Sequence, residues 1–164
     1  LALKASKPAL HVHASDFSAE ALAVAQANAQ RLKIEVSLHQ GAWFAALPAN
    51  APRFHCIVSN PPYIAELDAH LAALKFEPAQ ALTSGTDGLD DLRHIIARAP
   101  RHLAPGGWLL LEHGYDQAQA VRHLLHDAGF VQVQSRQDLS GIERCSGGQR
   151  NLSTHEHPDH DQPH

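Results

Sequence analysis

Apolar positions along the chain change period repeatedly, and the changes divide it into short strands and amphipathic helices. Leu10 to Ala14 predicts a short strand. From Ser18 to Lys33 the period lengthens to that of a helix, with Ser18 as N-cap and Ala21, Leu22, Ala25, Ala29 and Leu32 on one face. Ile34 to Leu38 alternates as a strand does, and "WFAAL" gives one helical turn before the loop at Pro48 to Pro52. "FHCIVS", Phe54 to Ser59, is a buried-type strand, and an irregular connection follows from Asn60 to about Thr86. "DGLDDLRHIIARAPRHL" predicts a helix that begins near Asp87 and whose last turn Pro100 bends or shortens. "PGGWLLLEHG" is a turn and a core strand. Tyr115 to Ala128 is a helix ended by Gly129, Phe130 to Arg136 a strand, and Arg144 to Leu152 a last strand.

Strands separated by helices of this length imply right-handed crossovers and a mostly parallel sheet covered on both faces. The short loop between the last two strands makes them an antiparallel hairpin. At 164 residues and 44% hydrophobic, the chain has material for a domain with a real core. A net charge of -4 supplies no strong positive field for phosphates, so direct nucleic-acid binding is not expected. No run approaches the roughly 18 apolar residues of a membrane span. Cys56 and Cys145 have neither zinc spacing nor a disulfide framework, which suits a reducing cytoplasm. The chain contains no methionine, and "LALKASKPAL" reads as a helix tail followed by a turn at Pro8, so it is expected to be a fragment of a longer protein.

In open sheets of this kind, ligands sit beyond the carboxyl ends of the strands. Asp16 leaves the first strand, where a carboxylate can accept both hydroxyls of a ribose; the same position suits an Asx-turn into the helix. Trp43 follows the second strand and offers a flat face to a purine, or a place in the core beside Phe44 and Leu47. Asn60, Pro61, Pro62 and Tyr63 leave the third. Two prolines supply no N–H, so main-chain carbonyls become the polar groups this segment offers, and Asn60 adds a side-chain carbonyl. Rigidly held acceptors of this kind can grip both hydrogens of an NH2 group and orient its nitrogen, while Tyr63 stacks on the plane carrying it. An ordinary turn initiated by Asn-Pro is the plainer reading.

"HCIVSNPPY" resembles the signature of methyltransferases that use S-adenosylmethionine on an exocyclic or amide NH2. "SDFSAEALAVAQANAQRL", "GAWFAAL", "NPPYIAELDAHL", "KFEPAQAL", "DGLDDLRHII", "LAPGGWLLLEHG" and "ERCSGG" extend the likeness to the glutamine N5-methyltransferases of peptide chain release factors, from the first residues to about Arg150. The resemblance implies a Rossmann-like class I methyltransferase fold, here without its first strand and glycine loop, over residues 1–150, and a disordered His-rich tail over 151–164. It implies S-adenosylmethionine as cofactor, with Asp16 on the ribose, Trp43 on the adenine and Asn60 touching both cofactor and substrate. Asn60, Pro61, Pro62 and Tyr63 would hold the substrate glutamine, with Asn60, Pro61 and Tyr63 as the catalytic set and no metal. The substrate would be the Gly-Gly-Gln glutamine of a release factor, in the cytoplasm and away from membranes, with the fragment alone inactive.

Some stretches depart from this pattern or compete with it. Ala42 stands where the family often carries an acid before the Trp, which implies weaker cofactor binding. Gly147-Gly148-Gln149 mimics the substrate motif but reads as a glycine-rich turn before the last strand. "HEHPDHDQPH" suits loose metal binding and reads instead as a disordered end. His113, at the exit of the fourth strand, reads as structural, because displacement on a sulfonium needs no strong base. An adenine N6-methyltransferase, a ribosomal-protein glutamine methyltransferase and a non-catalytic remnant are the alternatives.

Overall fold

The structure, a computed structural model, describes residues 1–66 and 83–152. "KFEPAQAL", part of "NPPYIAELDAHL" and the His-rich tail from residue 153 lie outside the described residues. The chain forms two compact units, Leu1–Pro52 and Arg53–His164. Among the described residues no helix is long and apolar enough to cross a membrane.

The first unit contains α1 (Ala2–Ser6), β1 (His13–Asp16), α2 (Ala19–Leu32), β2 (Ser37–Gln40) and a 3-10 turn at Trp43–Ala46. β1 and β2 pair in parallel, from His13↔Ser37 to Asp16↔Gln40. Both strands start three residues later than their apolar runs predict, because the paired stretch is set by where each finds its partner. Asp16 is therefore the last residue of β1. α2 starts as expected: the Ser18 hydroxyl accepts the Ala21 N–H at 3.1 Å. Lys33 ends it in the left-handed region at φ 54°, with its N–H returning to the carbonyls of Ala29 and Gln30. Of the apolar face, Ala29 is buried, whereas Leu32 remains 47% exposed.

The second unit contains β3 (Phe54–Ser59), α3 (Asp90–His102), β4 (Leu103–Glu112), α4 (Ala118–Asp127), β5 (Phe130–Gln137) and β6 (Glu143–Arg150). Its sheet runs β3-β4-β6-β5, parallel between β3 and β4 and antiparallel at the other two pairings. The expected hairpin is present, but its second strand, β6, lies inside the sheet and leaves β5 at the edge. α3 starts at Asp90 because the residues before it are folded into side-chain turns: the Asp87 carboxylate accepts the Leu89 N–H at 3.1 Å, and the Ser84 hydroxyl accepts that of Asp91 at 2.7 Å. Pro100 is accommodated within α3, which ends at His102. β4 follows at once. Its partner shifts from Leu103 opposite Phe54 to Trp108 opposite Cys56, so the Pro105-Gly106-Gly107 turn becomes a bulge within the strand.

Helical spacing puts Leu92, Ile95, Ile96 and Ala99 of α3 in the core, with Ala118, Val121 and Leu125 of α4 and Leu103, Leu109 and Leu111 of β4. Gly147 and Gly148 are not a turn. They pair with Leu110 and Leu109 inside the sheet, and a Cβ on Gly147 would lie 2.5 Å from the Leu109 carbonyl oxygen. The Gln149 amide is engaged within the same unit, donating to the Gly106 carbonyl at 2.8 Å and accepting from Gln132 at 2.9 Å.

A polar chain runs from the partly exposed Arg122 and Glu143 to the buried Ser146 and His113. Arg122 donates to Glu143 at 2.9 Å and to the Ser135 hydroxyl at 2.5 Å; Ser135 and Ser146 are 2.8 Å apart, and Ser146 is 2.7 Å from His113 Nε2. His113 Nδ1 lies 2.9 Å from the Gly114 carbonyl, which can only accept. Nδ1 therefore carries the proton of the neutral ring, and Nε2 accepts from Ser146. Burial pushes the His113 pKa below its ordinary 6.5. The Gly114 carbonyl and Glu143 oppose that shift, while Arg144 and Arg122 reinforce it. His113, fully buried and bonded through both ring nitrogens, has the structural place expected of it despite its position at the exit of β4.

Leu109→Ala is expected to lower unfolding free energy by about 2–5 kcal/mol, whereas Val24→Ala, at a position 62% exposed, changes it by no more than about 0.5 kcal/mol. Urea titration monitored by circular dichroism measures both. The depressed His113 pKa means that the unfolded chain takes up a proton there at higher pH than the folded one. Its contribution to stability is thus fully present above 6.5 and is lost as pH falls through that value toward the folded pKa. His113→Gln should shrink the difference between urea midpoints measured at about pH 7.5 and about pH 5.5.

Candidate functional site

Asp16 and Trp43 belong to the first unit, and Asn60, Pro61, Pro62 and Tyr63 to the second, so each group has its own local geometry. Asp16 is exposed at the end of β1, and its Oδ1 accepts the Ser18 N–H at 2.8 Å. The Asx-turn read from the sequence is thus present, and it orients the carboxylate through one oxygen. The Asp16 carbonyl accepts the Gly41 N–H at 3.0 Å, tying the exit of β1 to the segment before Trp43. Trp43 is half-buried and has a left-handed backbone, φ 49°. That conformation is unusual for a residue with a large side chain. It follows Gly41 at φ 147°, and the two together turn the chain sharply after β2.

In the second unit, Ser59 pairs with Leu111, so Asn60 follows β3 level with Glu112 at the end of β4. Asn60 is exposed, whereas Pro61 is fully buried. The segment after the prolines is fastened from several sides. Ile64 bridges Thr83 in parallel, the Ser84 N–H donates to the Ile64 carbonyl at 3.0 Å, and the Glu66 N–H donates to the Gly85 carbonyl at 3.0 Å.

Tyr63 is held at both ends. Arg144 Nη2 donates to its phenol oxygen at 3.0 Å, the guanidinium carbon lies 5.5 Å from the ring centroid, and Glu112 Oε1 is 3.5 Å from the hydroxyl. Arg144 and Glu112 are themselves 4.0 Å apart. The Tyr63 carbonyl accepts the Gln117 side-chain N–H at 2.9 Å. Chemically, the stretch offers an exposed amide side chain and a fixed aromatic ring on a backbone with two missing donors. It is an arrangement for orienting a polar group and provides no strong base or nucleophile.

Sequence patterning located Asn60 to Tyr63 but missed Gln117 and Gly88, and Glu112 was present only within "LLLEHG". Arg144 was present only as part of "ERCSGG". Gln117 reaches across from the start of α4, and the pairing with Tyr63 has no local sequence period. Among the described residues, no group of three or more His, Cys, Asp or Glu side chains is placed to hold a metal ion.

The sequence profile of the methyltransferase small domain matches residues 1–137. The chain is 56% identical over 143 residues to the release factor glutamine methyltransferase of Bordetella pertussis, an overlap of 86% of this chain and 53% of that protein. It is 51% identical over 150 residues to the release factor glutamine methyltransferase of Pseudomonas aeruginosa, 90% of this chain and 54% of that one. The chain thus spans about half the length of the curated relatives it matches. A crystal structure of a methyltransferase from Pyrococcus furiosus shares the fold, with a TM-score of 0.67 at 18% identity over 92% of this chain and 68% of that one. By the profile match over most of its length and by its α/β architecture, the chain belongs to the methyltransferase small-domain family.

Proposed function

We propose that this chain is part of the catalytic domain of a release factor glutamine N5-methyltransferase, which transfers a methyl group to the amide nitrogen of the Gly-Gly-Gln glutamine. The observation that carries this reading is the Asn60-Pro61-Pro62-Tyr63 exit of β3, with Asn60 exposed beside a fastened Tyr63. The identity to the Bordetella and Pseudomonas relatives, named for that activity, supports the choice of substrate. Residues 1–150 are the catalytic portion in this reading, and a cytoplasmic location follows from a translation factor as partner.

S-adenosylmethionine, when bound, would supply its sulfonium methyl group: the carbon–sulfur bond breaks as the nitrogen–carbon bond forms, S-adenosylhomocysteine leaves, and one amide proton passes to solvent. The residues suit it. Asp16 presents an exposed carboxylate for a ribose diol, and Trp43 presents an indole ring for the adenine. In the second unit, Asn60, exposed at the exit of β3, offers its side-chain carbonyl to the hydrogens of the substrate NH2, and the buried Pro61 fixes where that residue emerges. Pro62 keeps the bend stiff, and Tyr63 lies against the amide plane. An amide nitrogen is a poor nucleophile, so alignment of its NH2 is the contribution these residues make to the rate. The net charge of -4 favours a protein over a nucleic acid as substrate.

In the full-length natural protein carrying this sequence, labelled methyl transfer should appear in a release factor and depend on its Gly-Gly-Gln glutamine. Label in an adenine-containing oligonucleotide and none in the release factor would overturn the reading. Asn60→Ala should lower kcat about 100-fold, measured by the same assay at saturating cofactor.

A further inference from the structure

Gln117 joins three parts of the second unit that are far apart in sequence. Its side-chain carbonyl Oε1 accepts the Gly114 N–H at 2.8 Å just beyond β4. Its Nε2 donates to the Tyr63 carbonyl at 2.9 Å just beyond the two prolines, and lies 3.4 Å from the Gly88 carbonyl ahead of α3. The side chain is itself set in place: the Gln117 N–H donates to the Gly114 carbonyl at 3.1 Å, and the Gln117 carbonyl accepts from Val121 at 3.0 Å as the first turn of α4. Gly88, at φ 74°, makes the approach possible. A Cβ there would collide with the Tyr63 carbonyl oxygen and come within 2.8 Å of Gln117 Nε2.

The same carbonyl of Gly114 receives His113 Nδ1. The Gly114 carbonyl thus accepts from two donors, the His113 ring and the Gln117 backbone N–H, and the hydrogen-bonded chain from Arg122 through Ser135, Ser146 and His113 ends there.

We propose that Gln117 is a positioning residue for the Asn60–Tyr63 loop, holding the Tyr63 carbonyl so that Asn60 presents its side-chain oxygen in a fixed register. The inference rests on the substrate-holding role given to that loop under Proposed function. Two successive prolines have nearly fixed φ and no N–H. They behave as a stiff link, so a displacement of Tyr63 is carried to Pro61 and Asn60 rather than absorbed between them. At neutral pH a primary amide of this length meets both demands, donating to a carbonyl and accepting from an N–H at once, where an ionised carboxylate can only accept.

Gln117→Glu keeps the acceptor for Gly114 and removes the donor for Tyr63. Gln117→Met keeps the approximate length with neither. In the full-length natural protein, both variants should lower kcat for methyl transfer to a release factor about 10- to 100-fold at saturating cofactor. Gln117→Glu alone should recover activity as pH is lowered, because a protonated carboxyl donates to the Tyr63 carbonyl again. Amide hydrogen exchange at Glu66, whose N–H is bonded to Gly85, should accelerate in both variants independently of catalysis. Wild-type kcat in the Met variant, or unchanged exchange at Glu66 in both, overturns the proposal. Should the wild-type protein transfer no methyl to a release factor, the functional reading fails, and the exchange measurement still decides whether Gln117 holds the loop.

Discussion

Strand β4 is paired along both of its edges, and the second unit is built around that constraint. Parallel pairing with β3 brings the two strands out of the sheet at the same end, so that Asn60 and Glu112 emerge as neighbours. Antiparallel pairing with β6 brings Arg144 and Cys145 back to that end, where Cys145 lies opposite Glu112. The fully buried Leu109 and Leu111 anchor β4 from within. A shift of one residue in either register would send these leucines to the opposite face and separate Tyr63 from Arg144 and Gln117 at the same time.

Much of this was legible in the chain. The bounds of β3 match those read from "FHCIVS", and Ser18 announced α2 because an N-cap needs only its own hydroxyl and the N–H three residues on. What failed was whatever depends on a partner far away in sequence. The start of β1 moved because pairing with β2, not hydrophobicity, decides where a short strand counts as one. Gly147 and Gly148 read as a turn, yet they are glycines because neighbouring strands and side chains come too close for a Cβ, and no local rule records that approach. For the candidate site, Asn60 to Tyr63 could be found from their order at the exit of a strand. Gln117 could not, since the Tyr63 and Gly88 carbonyls it reaches are contributed by distant turns.

The first unit relies on a different device. Gly41 and Trp43 carry the chain out of β2 with two left-handed or otherwise glycine-like backbone angles separated by Ala42. For a tryptophan this backbone costs roughly 1–2 kcal/mol, a cost more easily borne where the ring is needed in one direction. The neighbouring Asx-turn at Asp16 acts similarly on a smaller scale, with one carboxylate oxygen committed to the backbone so that the group cannot swing.

The position of β6 between β4 and β5 has a consequence for how the polypeptide is assembled as it is synthesised. β5 leaves the ribosome before the only strand it pairs with in this sheet. Until residues up to Arg150 have emerged, β4 offers an open hydrogen-bonding edge to any passing extended segment. The short link between β5 and β6 limits that interval, because the two can zip together locally and dock on β4 as one ribbon. Translational pauses placed within the last strand would therefore lengthen the most aggregation-prone stage in the life of this unit.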